Sequence, residues 1–556
     1  MNKKVCSFPI LFALLALLIG TCAVVFPASA QAAPTSTGSI TVSGTVARSY
    51  DAYQIFSANV VDGDSDAKIA TDLAWASDAV RDAALPVLHS ADMPNSQTTA
   101  QEAAEWLNTD SHLTSALSAR LARSLQSSGA EPVALIAGTA AELPCGYWLI
   151  VAKDDAISQN EAGTAPVMAL VGGSAVTVKP KAATPKVAKH VLEDSTAAWQ
   201  KAADATVADD LYWRLSATVP AGLTAYDTYT VRFVDTMSAG LDPSKVAASM
   251  HVYVAAGADG GFDAVSTGKD GRVGTEPAKG WTDITAQCAT KVAADGKTFT
   301  VRTGDPIAAL GGADAFTAGA RVVAVYNAPL NSACNHGIAK GNPNEVYLRY
   351  PRSPLADQSG EAGFTHTPSD DACAYTWDLA LTKRGSDGDK PLAGAVLSIA
   401  DDRGRTLAAD GTWDAEGKAT VTTGEDGRVT VSGVDSGKLE VRELKAPKGY
   451  TAFEGTRSVM VKAEGLDVDQ VAAAKPKLTI TAESPVRADS ADGSTGSLEA
   501  SLINTPTGTP PSITTGGFMP STGDMAMYAA AAAAVAGAAL IVVALLIKRG
   551  GGSHKE

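Results

Sequence analysis

Short runs in which apolar and polar residues alternate recur between turn-rich stretches, as in Ser39-Ile40-Thr41-Val42-Ser43 and Arg428-Val429-Thr430-Val431-Ser432. They predict a mainly β chain of tandem immunoglobulin-like β-sandwich domains. Two further observations complete the fold class. Leu, Ala and Trp recur at helical spacing in Ala67 to Val87 and Thr98 to Leu125, which predicts a mixed α/β N-terminal domain. The apolar run Met525 to Ile547, followed by Lys548-Arg549, predicts a C-terminal transmembrane helix. About 20 apolar residues cross a bilayer core, and the trailing positive charge keeps that end in the cytoplasm.

Taken in chain order, Lys3 and Lys4 precede an apolar segment from Ile10 to Val25, and Ala28-Ser29-Ala30 offers the small residues of a cleavage site. Residues 1–30 are thus expected to be an export signal, with Gln31 beginning the mature chain. Lipid attachment at Cys22 is disfavoured because Thr21 stands where a smaller residue is needed. The segment from Val178 to Lys186 is rich in Lys and Pro and reads as a stiff connector; the stretch from Pro351 to Pro368 is rich in Pro, Ser, Gly and Asp. The expected domains are therefore 31–180, 181–370 and 371–507, then a spacer with a sorting motif over 508–523 and the membrane segment and basic tail over 524–556.

With 556 residues and a formal net charge of −15, the chain lacks the basic balance that nucleic-acid binding requires. Cys145, Cys288, Cys334 and Cys373 remain after signal removal, in an oxidising location. Four cysteines allow three full pairings; Cys334 with Cys373 is the expected disulfide, both falling near one domain end, with buried free thiols as the alternative. The seven histidines lack ligand spacing, so no metal is expected. Asp62-Gly63-Asp64-Ser65-Asp66 begins like a calcium loop, but Leu73 occupies the place of its closing Glu, and a solvated turn is the expectation. No nucleophile elbow, phosphate loop or dinucleotide fingerprint is present, so neither a cofactor nor turnover of an external substrate is expected.

Met519-Pro520-Ser521-Thr522-Gly523, directly before the apolar run, resembles the Leu-Pro-x-Thr-Gly sorting signal of Gram-positive surface proteins. The resemblance implies sortase cleavage between Thr522 and Gly523. In the third domain, Leu381-Thr382-Lys383 opens one strand, Glu443-Leu444-Lys445-Ala446-Pro447-Lys448-Gly449-Tyr450 follows another, and Leu502-Ile503-Asn504 closes the last. This set resembles the B-type repeat of collagen adhesins and the C-terminal domain of Gram-positive fimbrial shaft proteins. It implies an isopeptide bond between Lys383 and Asn504 catalysed by Glu443. The chemistry is intelligible, because burial lowers an amine's pKa and raises a carboxyl's, leaving a neutral nucleophile beside a neutral acid.

The middle domain resembles the same shaft proteins through Lys186-Val187-Ala188-Lys189, Asp235-Thr236-Met237-Ser238-Ala239-Gly240-Leu241 and Tyr326-Asn327-Ala328-Pro329-Leu330-Asn331. By that resemblance Lys189 is the bonding amine and Asp235 the acid. Arg352 falls where relatives carry the Asn, so Asn331, or else Asn327, supplies the amide, or the bond is absent. Val176-Thr177-Val178-Lys179-Pro180-Lys181 resembles the segment that ends in the polymerising lysine, which points to Lys181, with Lys179 next. Ser49-Tyr50-Asp51-Ala52-Tyr53-Gln54-Ile55-Phe56 resembles a signature near the start of these proteins and is assigned to packing.

The resemblance as a whole implies a structural major subunit of a covalently polymerised, wall-anchored surface pilus. Its implied partners are a class C-type pilin sortase, a housekeeping sortase, other copies of itself, other pilus subunits, peptidoglycan and host matrix proteins. The alternative is a monomeric wall-anchored adhesin.

Overall fold

The computed structural model describes residues 36–508, except 45–47, 65–66, 110, 154–156, 158–159, 181–183, 222, 269–270 and 313–317. The export signal, Lys181, the sorting motif Met519 to Gly523 and the apolar run to Ile547 lie outside the described residues. Among the described residues no helix is long and apolar enough to cross a membrane.

The first domain combines a three-stranded sheet (Ala140–Pro144, Thr37–Val42, Val176–Val178) with a five-stranded one centred on Ser49–Asp62 and Gly146–Ala152. Three helices, Asp78–His89, Ala100–Asn108 and Ser115–Ser127, cover the larger sheet. Each starts at a hydroxyl that accepts a first-turn backbone N–H, from Ser77, Thr99 and Thr114 respectively. Leu117, Leu121 and Leu125 bury one stripe of the third helix against Tyr53, Ile55 and Phe56 of the long strand. The domain is mixed, but the helical span from Ala67 is corrected at its start. Lys68–Trp75 pairs antiparallel with Ser49–Asp62, and helix begins only after the Ser77 cap. Asp62 likewise serves a turn, its carboxylate accepting the Ser174 N–H at 2.9 Å.

The second domain is a sandwich of two six-membered strand rows. One runs Ala198–Gln200, Lys186–Glu193, Tyr212–Val219, Ala320–Asn327, His251–Ala256, Thr282–Asp283. The facing row runs Ala202–Asp204, Asp370–Tyr375, Asn342–Pro351, Arg232–Met237, Thr298–Arg302, Ala289–Val292, with Phe364–His366 beside it. Trp213, Leu215, Phe233, Phe299, Val322, Val346 and Leu348 fill the space between. Strand Asp370–Tyr375 completes this domain by pairing with both Asn342–Pro351 and Ala202–Asp204. The second boundary therefore falls at Thr376 rather than at 370. The Pro- and Gly-rich stretch is an excursion within the domain, because its Phe364–His366 segment folds back onto Arg349 to Pro351.

The third domain packs the strands Arg428–Val434, Trp377–Gly385, Ser497–Pro506 and Tyr450–Thr451, with Val486–Asp492, against a larger sheet centred on Val396–Ala400, Gly437–Lys445 and Thr456–Glu464. Its first and last strands lie side by side and parallel, with Lys383 opposite Leu502 and Gly385 opposite Asn504.

The junction between the second and third domains is polar and acidic. Asp204 Oδ2 accepts from Trp377 Nε1 at 2.6 Å and from Ser436 N at 2.9 Å, while Asp209 pairs with Arg403 at 2.9 Å and Arg405 at 2.5 Å. Gly433, at φ +69°, brings its backbone against Val207, where a Cβ would lie 2.3 Å from a methyl. Burial first, and the Asp204 charge second, push the Glu193 carboxyl up from 4.5 to about 8. Asp194 and Asp435 are raised by the same causes.

An acid whose folded pKa is raised contributes stability that is complete below its unfolded value and lost as pH rises through the folded one. The calorimetric melting temperature of the wild type should accordingly fall, relative to Glu193→Gln, as pH rises from about 5 to about 8. Parallel curves for the two proteins would contradict the assignment.

Candidate functional sites: two buried lysine, acid and asparagine clusters

In a strand, alternate side chains share a face, so the inward positions of a sandwich strand are expected to be apolar. Along Trp377–Gly385 the inward set is Trp377, Leu379, Leu381 and then Lys383. Along Gly437–Lys445 it is Leu439, Val441 and Glu443, and along Ser497–Pro506 it is Leu498, Ala500, Leu502 and Asn504. Three apolar rows thus each end in a polar residue, and the parallel pairing of first and last strands brings the three ends together.

Lys383 Nζ donates to Asn504 Oδ1 at 2.5 Å and to Leu502 O at 3.3 Å. Asn504 Nδ2 donates to Glu443 Oε1 at 2.8 Å, and the same oxygen lies 3.5 Å from Lys383 Nζ. Glu443 Oε2 accepts the Phe453 N–H at 3.0 Å, and the Phe453 ring centroid lies 5.6 Å from Nζ. The Lys383 and Glu443 side chains are both 0% exposed. Burial lowers the Lys383 ammonium from 10.5 to about 8, against the opposing pull of Glu443. The residues named from sequence meet here, and Phe453 is an addition whose only sequence signal is its place just beyond the Gly449-Tyr450 turn.

The middle domain repeats the arrangement with different parts. Val187, Lys189 and Val191 form one inward row; Phe233, Asp235 and Met237 form another on the facing sheet. Lys189 Nζ donates to Asp235 Oδ2 and, at 2.9 Å, to the Tyr326 hydroxyl, which in turn donates to Asp235 Oδ2 at 3.1 Å. Both charged side chains are 0% exposed. Burial lowers Lys189 to about 8 and raises Asp235, each opposed by the other's charge. The backbone of Lys189 is held as well, its N–H by Asp370 at 2.7 Å and its carbonyl by Lys201 Nζ at 2.8 Å.

The asparagine beside this lysine is Asn344, whose Nδ2 donates to the Tyr326 hydroxyl at 2.8 Å. Asn344 is 0% exposed and belongs to the inward row Asn344, Val346, Leu348 and Tyr350. Asn331 is corrected as a candidate. It lies in the turn after Ala320–Asn327, where Nδ2 binds Ala239 O at 2.9 Å and Leu241 O at 3.0 Å. Asn327 follows the inward Tyr326 and so points away, binding Leu211 N and Asp210. The signal that finds Asn344 is the alternation Asn344-Glu345-Val346-Tyr347-Leu348, read for parity rather than for a terminal Tyr-Ser-Asn.

Cys334 and Cys373 are free thiols, as are Cys145 and Cys288, so the expected bridge is corrected. Cys334 Sγ lies 3.6 Å from His336 Nε2, whereas Cys373 packs against Gly341 on strand Asp370–Tyr375. Lys179 is exposed beyond the buried Val178. Among the described residues no group of three or more His, Cys, Asp or Glu is placed to hold a metal ion.

Residues 378–475 match the SpaA family model, described as a prealbumin-like fold domain. The trypsin-resistant surface T6 protein of Streptococcus pyogenes serotype M6 is 30% identical over 134 residues, 23% of this chain and 23% of that one. The chain thus spans about a quarter of the length of this curated relative. The T6 backbone pilin structure of the same serotype aligns over 86% of this chain and all of its own, at 15% identity and a TM-score of 0.46. The full-length major pilin SpaD of Corynebacterium diphtheriae aligns over 86% and 99%, at 14% identity and a TM-score of 0.41.

Asn504→Ala leaves Lys383 a free amine in the same apolar site. Its titration, followed by NMR of an isotope-labelled lysine, is expected near pH 8. A midpoint at the ordinary 10.5 would mean that the side chain reaches water in solution.

Proposed function

We propose that this chain is the major structural subunit of a covalently polymerised, wall-anchored surface fimbria, with self-formed amide bonds stiffening its second and third domains. The observation that carries this reading is the contact of the buried Lys383, Glu443 and Asn504 side chains in a SpaA-type domain. Removing a charge pair from water costs several kcal/mol per ion, so three polar ends in an apolar core are a poor way to stabilise a sandwich unless they react.

In the reaction, the neutral Lys383 amine attacks Asn504 Cγ. The proton it gives up passes through Glu443 to Nδ2, the Cγ–Nδ2 bond breaks, and ammonia leaves. Glu443 Oε1 faces both nitrogens, as this transfer requires. In the middle domain Lys189 and Asn344 are joined in the same overall reaction, with Asp235 as the acid. The bond between Lys383 and Asn504 spans 121 positions of chain, and a disulfide closing a comparable loop is worth about 4–5 kcal/mol in a loop-entropy model.

Polymerisation is assigned to the chain's other nucleophile and electrophile. A pilin sortase takes the Thr522 carbonyl and passes it to Lys181 of the next copy, and a housekeeping sortase joins the last subunit to peptidoglycan. Exposure of Lys179 at the first domain junction supports an accessible acceptor in this segment. The other reading, a monomeric anchored adhesin for host matrix proteins, makes Lys181 irrelevant.

Two tests separate these claims. The intact mass of the recombinant mature chain should fall short of its sequence by two ammonia molecules; Glu443→Ala and Asn344→Ala should each restore one. An unshifted mass would remove the bonds from the account. In boiled, reduced cell-wall extracts of the source cells, immunoblotting should give a ladder of high-mass species that collapses to monomer in Lys181→Ala. A ladder that survives the substitution moves the acceptor to another lysine, and monomer alone in the wild type favours the adhesin.

A further inference from the structure

The two sites differ in how the acid reaches the asparagine. In the third domain Glu443 Oε1 lies 2.8 Å from Asn504 Nδ2 and 3.5 Å from Lys383 Nζ, so one oxygen serves both nitrogens. Aspartate is one methylene shorter. In the middle domain Asp235 Oδ2 bonds Lys189 and Tyr326, while Asn344 Nδ2 donates to the Tyr326 hydroxyl. That hydroxyl accepts from Lys189 Nζ at 2.9 Å and from Asn344 Nδ2 at 2.8 Å, and donates to Asp235 Oδ2 at 3.1 Å. Its one donor and two acceptor positions are all used, and all three go to the reacting groups.

We propose that Tyr326 is a catalytic residue of the middle domain, its hydroxyl relaying a proton from Asp235 to the departing Asn344 nitrogen. The inference rests on the reading that Lys189 and Asn344 form an amide. As Nζ bonds to Cγ, it gives one proton to Asp235. The Tyr326 hydroxyl gives its proton to Nδ2 and takes one back from Asp235. The Cγ–Nδ2 bond breaks, its electron pair leaves with nitrogen as ammonia, and both side chains end as they began. One proton is moved and none is consumed.

Two further features fit this role. Burial, and then the Asp235 charge, hold the phenol well above its ordinary pKa, so it stays neutral and can donate as it accepts. Asp235 Oδ1 and Asn344 Oδ1 are buried with no hydrogen-bond partner among the described residues. Unpaired buried oxygens are costly and invite a functional explanation, and here one belongs to the acid and the other to the carbonyl on which negative charge develops. The third domain has Phe453 near its lysine and, among the described residues, no hydroxyl in the corresponding contact, consistent with a glutamate that needs no intermediary.

The test uses the full mature chain made by cell-free synthesis, quenched in acid at intervals and digested. Mass spectrometry then counts the peptide pair joined through Lys189 and Asn344 against the pair joined through Lys383 and Asn504. Tyr326→Phe keeps the ring and is expected to slow the first cross-link on the order of 100-fold, the scale of lost general acid-base catalysis, while the second forms at the wild-type rate. Because a buried substitution can also disturb folding, the wild-type sequence is made in parallel with fluorotyrosine, which acidifies the phenol with almost no change of volume. The middle cross-link alone should then change rate several-fold, with a shifted pH profile. A middle cross-link that forms normally in Tyr326→Phe, or is indifferent to fluorination, overturns the relay. Absence of that cross-link from the wild type overturns the bond itself, and the relay with it.

Discussion

Everything distinctive in this protein depends on placing a lysine amine where water cannot reach it. A buried ammonium is so costly that the group gives up its proton more readily, and the loss of charge turns a surface-type side chain into a nucleophile. In both sandwiches the amine belongs to an otherwise apolar inward row, against an acid whose charge favours the protonated amine only in part. Unreacted, each cluster would be a liability in the core. Reacted, it becomes a neutral amide that no longer needs solvation, and the released ammonia makes the step difficult to reverse.

The sheet topology decides what such a bond does mechanically. In the third domain the first and last strands are neighbours and parallel, so a link from Lys383 to Asn504 joins the points where tension enters and leaves. The middle domain is different. A link from Lys189 would end at Asn344, but the fold continues through Phe364–His366 and Asp370–Tyr375 before the next domain begins. Tension leaving Asn344 must pass through residues 345–375, which are secured by strand pairing, by Lys201 against Asp370, and by the polar contacts of Asp204 across the junction. With both proposed bonds in place, the two domains would resist force by unlike means.

Much of this was legible in the sequence because strand parity is legible. Lys383, Glu443 and Asn504 each occupy a position where a period-two pattern calls for an apolar residue, and a polar residue in that place marks either an error or a reaction. Asn331 failed for the complementary reason: it lies beyond the end of a strand, where no parity applies, and its side chain is used to hold a turn. Asn344 was hidden by ordinary surroundings, since an asparagine near a Pro is a common edge residue, and Tyr326, though part of a quoted motif, was given no role because a tyrosine in a Val-rich strand is a common core residue. The helical reading of Ala67 to Val87 held from Asp78 onward and failed at its start, because Lys68–Trp75 is governed by its pairing with Ser49–Asp62, a long-range contact that local spacing does not register. The boundary at 370 failed because a loop rich in Pro and Gly looks the same whether it joins domains or decorates one.

The most direct test of covalently shunted sandwiches is to stretch single molecules of the mature chain from its two ends and measure the length released. The account predicts release from the first domain and, in the middle domain, only from residues 345–375, with nothing released from 190–343 or from 384–503. Full extension of either of those two segments at forces that unfold ordinary sandwiches would show that its amide bond is absent.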